Sequence, residues 1–253
     1  MIKLFVTDLD GCLSEPFEVP NLQTLSKIRA LNELSAADES VPPLTLCTGR
    51  PQPYAEAVAQ WLGIRLPIIF ESSGLYKLKD NQIILPPEFS DETKNQIAEL
   101  QLWIREEIIP QFPGMELEFA KQMDAGVIHR DKEIIAQAYE QIQAYVLKNY
   151  PDFEVHKTPV SINTMLSGNN KRKGLEQLSH HIGVDLDDIA YIGDTSGDIP
   201  ALEIVGYSFA PKHADEKVKE ICRVLDFKET EVVLELYKLL IEANKDTKAA
   251  TEI

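Results

Sequence analysis

The chain is short of cysteine and of positive charge. Its 253 residues include 3 cysteines, Cys12, Cys47 and Cys222. No two of them are spaced as C-x-x-C, which argues against a disulfide framework or a cysteine zinc site and suits a reducing compartment. Lys and Arg number 25 against 41 Asp and Glu, a formal net charge of -16. The one basic knot, Lys171-Arg172-Lys173, is too short to track a duplex, so no nucleic-acid partner is expected. No apolar run approaches the roughly 20 residues that span a bilayer. The first residues, MIKLFVTDLDG, carry no basic segment ahead of their apolar run, so neither a signal peptide nor a membrane partner is expected, and a cytoplasmic location is. The acidity itself reads as solubility.

What is present is an ordinary globular composition, 44% hydrophobic and 26% charged, in a length that fits one large or two smaller domains. Residues 2–7 (IKLFVT) form a short β-branched run suited to a buried parallel strand. A helix over 21–34 follows, with Asn21 as its N-cap. Then come a strand at 44–48, a helix at 51–62 and a strand at 67–71. LYKL and QIIL around Lys79-Asp80-Asn81 predict a hairpin. From 90 the rhythm changes to helix (90–109), two strands (MELEFA, AGVIHR), helix (131–148) and two strands (FEVHK, SINTML). This αββαββ order predicts a small inserted domain over 85–165, an antiparallel sheet covered by helices. The βα alternation then resumes from KGLEQLSHHIG to the helix ETEVVLELYKLLIEANK, with DTKAATEI as a frayed tail. The expected fold is α/β: a doubly wound, mostly parallel core over 1–84 and 166–253, with the insert between them.

In such sheets ligands sit beyond the carboxyl ends of the strands, and the chemically informative residues fall there. Asp8 and Asp10 follow the first strand in DLDG. A carboxylate can attack phosphorus, and a second one two residues on can serve as acid and then base. Thr48-Gly49-Arg50 follows the second strand, where a hydroxyl and backbone N–H groups suit phosphate oxygens. Lys173, directly before Gly174 and the apolar helix, can neutralise charge on a phosphorylated aspartate. Lys171 lies close by, and spacing favours Lys173. Asp194 and Asp198 in GDTSGD follow an apolar strand and offer hard oxygens for Mg²⁺. Each motif also has a structural reading, as an acidic turn, a capped helix start or a solvated lysine. Together they point to phosphoryl transfer, which needs mainly positioning and charge neutralisation.

With DLDGC (8–12), CTGR (47–50), KG (173–174) and GDTSGD (193–198) in that order, the sequence resembles the haloacid dehalogenase superfamily of phosphatases. The insert resembles that superfamily's type IIB cap, as in Cof-like sugar phosphatases, phosphoglycolate phosphatases and sucrose-phosphate phosphatases. The resemblance implies a core of Rossmann-like topology and a phosphatase acting on a small phosphorylated metabolite through an aspartyl-phosphate. Asp8 matches the nucleophile and a metal ligand. Asp10 matches the general acid/base, with its carbonyl on the metal. Thr48 matches the phosphate-binding hydroxyl and Lys173 the charge-neutralising lysine. Asp194 matches a metal ligand and Asp198 a direct or indirect one, so Asp8, Asp10, Asp194 and Asp198 are the expected Mg²⁺ set. The sequence departs from the family pattern at Cys12, Ser72-Ser73-Gly74, Gly197 and His213.

Substrate contacts are expected from Thr48, Gly49, Arg50 and Lys173, and from Lys121 and Asn163 in the insert, where Gln122, Arg130 and His156 are further candidates. An anionic leaving group such as that of phosphoglycolate favours a basic residue there. Two other readings stand beside the phosphatase. A phosphomutase of the phosphomannomutase type would depend on a bisphosphate activator. A non-catalytic phospho-acceptor protein would be about half this length, lack the insert and need no Asp10.

Overall fold

The computed structural model describes residues 1–227 and 229–251. It divides into two compact units, one of residues 1–49, 54–84 and 170–253, the other of 50–53 and 85–169. The second unit thus runs four residues past the sequence boundary at 165 and takes in a short piece of chain after the second strand.

In the first unit a five-stranded parallel sheet has the order β12-β11-β10-β1-β2. Its strands are β1 (Leu4–Thr7), β2 (Leu44–Leu46), β10 (Ile189–Ile192), β11 (Tyr207–Pro211) and β12 (Arg223–Leu225). All four strands pairings are parallel, as expected for strands buried on both faces. Leu4 and Val6 of β1 enter one core with Leu175, Leu178, Tyr191 and Leu202. Phe5 points to the opposite face, where its ring meets Tyr237 edge-on at 5.3 Å. Helices cover both faces, among them α1 (Leu22–Leu34), α5 (Lys171–Ile182) and α8 (Glu229–Thr251), with α1 and α8 packed together. Asn21 caps α1 by accepting from the Thr24 N–H. The Asn244 side chain of α8 accepts from the Ile2 N–H and donates to the Ile2 and Ser40 carbonyls. The chain runs outward from β1 to β2, then returns to β10 on the other side. The crevice beyond β1 and β10 is therefore the switch point where ligands bind in open α/β sheets.

Two expectations change here. The strand expected at 67–71 is β3 (Ile68–Phe70). It pairs antiparallel with β4 (Gly74–Lys77), which pairs with β5 (Gln82–Ile84), in a separate three-stranded sheet. It touches the parallel sheet through a bridge between Cys47 and Ile69. The tail expected to fray from 246 instead continues α8 to Thr251; residues 252 and 253 lie outside the described residues. Lys, Ala and Thr in that stretch include good helix formers, and no Gly or Pro interrupts it.

The second unit holds a four-stranded antiparallel sheet, β6-β7-β9-β8. Its strands are β6 (Glu116–Leu117), β7 (Asp124–Ile128), β8 (Phe153–Lys157) and β9 (Ser161–Leu166), with helices α3 (Asp91–Trp103) and α4 (Lys132–Asn149). The helix expected over 90–109 is α3 followed by a π-helical turn at Ile104–Ile108 and a short 3-10 turn. Ser90 and Asp131 cap the two helices, accepting from Thr93 and Glu133 N–H groups. Val127, Ile162 and Thr164 lie on one face of the sheet, while Asp124, Gly126, Asn163 and Met165 lie on the other, as the two-residue period requires. Among the described residues no helix is long and apolar enough to cross a membrane.

Candidate active site

The site of the first unit is built on the ends of β1 and β10, which lie side by side with Thr7 opposite Ile192. The Asp8 N–H donates to the Ile192 carbonyl at 2.9 Å, which extends the ladder one residue past the strand. The chain then turns at once: the Gly11 N–H donates to the Ser14 carbonyl at 2.8 Å, and Gly11 has φ +78°. Glycine is needed there for that dihedral. It is also needed for space, because a Cβ at Gly11 would run into the Asp194 carboxylate. Across from this turn, the Cys47 N–H donates to the Thr7 carbonyl at 3.0 Å and places Thr48, 1% exposed, at the end of β2.

Asp8, Asp194 and Asp198 each bring a carboxylate oxygen within 4.8 Å of the others. The Lys171 side chain enters this group. The Lys171 ammonium lies 2.8 Å from Asp8 Oδ1 and 2.6 Å from Asp198 Oδ1. Lys171, the alternative to Lys173, is thus the lysine in contact with Asp8 and Asp198. Asn170 caps α5, so Lys171 opens the helix. From there the spacing i, i+3, i+4, i+7 puts Lys171, Gly174, Leu175 and Leu178 on one buried face. Lys173 lies half a turn away and is only half-buried. Gly174 has to be glycine for the same face to close on the β3–β4 turn: a Cβ would press on the Ser72 carbonyl and Ile69.

Asp198 is fully buried and its oxygens are engaged. Oδ1 accepts from Lys171 Nζ and from the Tyr191 hydroxyl at 2.7 Å; Oδ2 accepts from the Asp194 and Thr195 N–H groups and the Thr195 hydroxyl. A carboxylate offers about four lone-pair positions, so little remains for a further ligand. Asp194 differs: its buried Oδ1 has no hydrogen-bond partner among the described residues. Burial, then the charge of Asp198 and of Asp8, pushes the Asp194 carboxyl up to about 9. Burial and then Asp198 push Asp8 up to about 7 against the opposing pull of Lys171. Burial alone would lower the Lys171 ammonium, but Asp198 and Asp8 outweigh it and hold it well above its usual range. Three acidic groups facing one lysine would carry an excess of negative charge if all were ionised, and an orphaned buried oxygen lies among them. A hard divalent cation fits this donor set.

The sequence gives no role to Tyr191 and Thr195, which hold Asp198, and marks His213 only as a departure from the family pattern; its Nε2–H donates to the Gly11 carbonyl at 2.7 Å. A tyrosine within an apolar strand offers no sequence signal of a polar partner. Lys171 did offer one, its helical phase with Gly174, Leu175 and Leu178.

The candidates in the second unit also come together. Lys121 Nζ lies 2.6 Å from Asp124 Oδ2, 3.2 Å from Glu118 Oε2 and 2.9 Å from Asn163 Oδ1, and its side chain is 1% exposed. Arg50 pairs with Glu118 at 3.3 Å and groups with this unit. Gln101 on α3 clamps the β6–β7 loop by donating to the Lys121 and Asp124 carbonyls. The Lys121 charge is therefore met by the unit's own carboxylates. Burial pushes Asp124 up to about 6, with Lys121 opposing. Gln122 and Arg130 are exposed, and His156 pairs with Glu154 at the surface. Lys121→Met leaves Glu118 and Asp124 buried without this cation and is expected to cost about 3–5 kcal/mol. The check is the urea midpoint; an unchanged midpoint would show that the cluster contributes nothing to stability.

The sequence matches the model of the haloacid dehalogenase-like hydrolases over residues 105–233. It is similar to the phosphoglycolate phosphatase of Methanopyrus kandleri, 28% identical over 248 residues that cover 96% of this chain and 98% of that one. It is also similar to the phosphoglycolate phosphatase of Methanococcoides burtonii, 24% identical over 88% of this chain and 89% of that one. The fold is that of a Thermoplasma acidophilum protein of known structure, with TM-score 0.73 at 20% identity, covering 95% of this chain and 98% of that one. The match to the family model extends over half of the sequence, and the chain belongs to the haloacid dehalogenase-like hydrolase family.

Proposed function

We propose that this hydrolase is a Mg²⁺-dependent phosphatase that releases phosphate from a small phosphorylated metabolite through an aspartyl-phosphate on Asp8. The observation that carries the reading is the convergence of Asp8, Asp194 and Asp198 on one point with Lys171 among them. An Asp8 carboxylate oxygen attacks phosphorus as the bond from phosphorus to the ester oxygen breaks, and Asp10 gives that oxygen its proton. A water then attacks the phosphorus and passes its proton to Asp10 while the bond to Asp8 breaks, releasing phosphate. Lys171 neutralises charge on the oxygens around Asp8. Thr48 and the Gly49 backbone, at the end of β2, serve the phosphate oxygens. Asp8, Asp194 and the Asp10 carbonyl would hold the metal, with Asp198 acting through its hold on Lys171 and the 194–195 backbone. When bound, Mg²⁺ supplies positive charge that stabilises the transferring phosphoryl group.

Phosphoglycolate is the first substrate to test, supported by the names of the relatives; sugar phosphates are the second. The three free thiols support a cytoplasmic setting. A phosphate-release screen over both substrate classes is expected to show activity with Mg²⁺ and none with EDTA. Turnover that survives complete chelation would remove Asp194 from its role.

The metal has a second readout. The carboxyls of Asp8 and Asp194 ordinarily sit at 3.8 and are raised to about 7 and 9 in the fold. Between those limits the folded state holds protons that the unfolded chain has released, so stability of the metal-free protein is expected to fall as pH rises through this range. Mg²⁺ is expected to raise the melting temperature most at the alkaline end, where the carboxylates are charged. A melting temperature indifferent to Mg²⁺ at pH 8 contradicts the assignment.

A further inference from the structure

We propose that Tyr191 is a positioning residue for phosphoryl transfer, holding Asp198 from beneath the sheet edge and, through Asp198, the lysine that meets Asp8. The inference rests on the reading of Asp8 and Lys171 given above. Tyr191 lies on β10 within the apolar core, opposite Val6 of β1, and is 0% exposed. It belongs to the core cluster that includes Leu4, Val6, Cys47 and Leu175, where a phenylalanine ring has room. The hydroxyl is the anomaly, since a buried phenol needs a partner. It has one in Asp198 Oδ1, at 2.7 Å, the same oxygen that takes Lys171 Nζ at 2.6 Å.

Sharing that oxygen sets the balance of the lysine. Lys171 has two anionic partners, Asp8 and Asp198. A donated phenol hydrogen bond draws charge from Asp198 and fixes the direction of its Oδ1. Without it, Lys171 is left to compensate Asp198 more fully, at the expense of Asp8. The other oxygen of Asp198 is held by the backbone of residues 194–195 and by Thr195. The carboxylate is therefore pinned on one side by the loop that carries Asp194 and on the other by Tyr191. A Cβ at Gly193 would strike Asp198, so the loop closes down on the carboxylate that Tyr191 supports.

The test is Tyr191→Phe, which removes one oxygen and keeps the ring. The expected result is a fall in kcat of about tenfold per folded molecule, as one transition-state contact of about 1.4 kcal/mol gives, with KM for the phosphate ester little changed. A kcat equal to that of the wild type overturns the proposal, because a ring that only packs gives that result. Should Tyr191→Phe fold poorly, 3,5-difluorotyrosine placed at 191 alone keeps shape and hydroxyl while altering donor strength. A shift in kcat of about twofold or more then supports the proposal, and an unchanged kcat overturns it. Asp8→Asn run in parallel separates the two claims. If Asp8→Asn keeps its turnover, the reading of the site fails. If Asp8→Asn is inactive and Tyr191→Phe is fully active, only the role of Tyr191 fails.

Discussion

Asp8→Asn is expected to lower phosphate release by about 10⁴-fold or more, with the fold intact. Asparagine keeps the size of the side chain and one acceptor oxygen, turns the other into an NH2 donor, and removes the nucleophilic charge. The folded state should tolerate it well, because the Asp8 carboxylate is itself disfavoured by burial and by Asp198, as its rise to about 7 shows. Lys171 keeps Asp198 as a partner at 2.6 Å, so no cation is stranded. The measurement is single-turnover phosphate release at saturating Mg²⁺, with circular dichroism on the same sample. Residual turnover within tenfold of the wild type would place the nucleophile elsewhere.

Lys171→Met and Lys173→Met are expected to part widely. Lys171 is the cation between Asp8 and Asp198, so its loss removes charge stabilisation at the reacting centre, an effect of about 10²–10³-fold in kcat. It also leaves buried carboxylates unpaired, so stability is expected to fall by about 3 kcal/mol and activity is read per folded molecule. Lys173 lies on another face of α5 and is half-buried, and its replacement is expected to lower kcat less than that of Lys171. Equal losses in the two variants would show that helix position does not decide the role.

The same pair of lysines shows how far the sequence could be read. A β-branched run ending in acidic residues and followed by a helical period locates a parallel strand and its functional edge. The placement of Asp8, Thr48 and Asp194 is legible on that basis, because the end of a strand fixes where a residue lies in such a sheet. Its neighbour Gly174 speaks for Lys173 over a single residue only. The deciding quantity was the phase of α5, in which Lys171 falls in line with Gly174, Leu175 and Leu178. Other features depend on contacts distant along the chain. Tyr191 reads as another apolar strand residue until Asp198 is placed beside it. Lys121 reads as a cation at a hairpin, and only the pairing of β7 with β9, which sets Asn163 opposite Gly126, brings Asn163 to it. The separate sheet of β3, β4 and β5 was hidden for a similar reason. A short apolar run has the same pattern whether its partner is parallel or antiparallel.

The most direct test of the account is acid quenching during turnover of a phosphorylated substrate with Mg²⁺, followed by tandem mass spectrometry of the digested protein. The account predicts a phosphoryl group on Asp8, absent from Asp8→Asn and formed fast enough to lie on the path to free phosphate. A phosphoryl group on a different residue, or full-rate release with no labelled protein at any time, would contradict it.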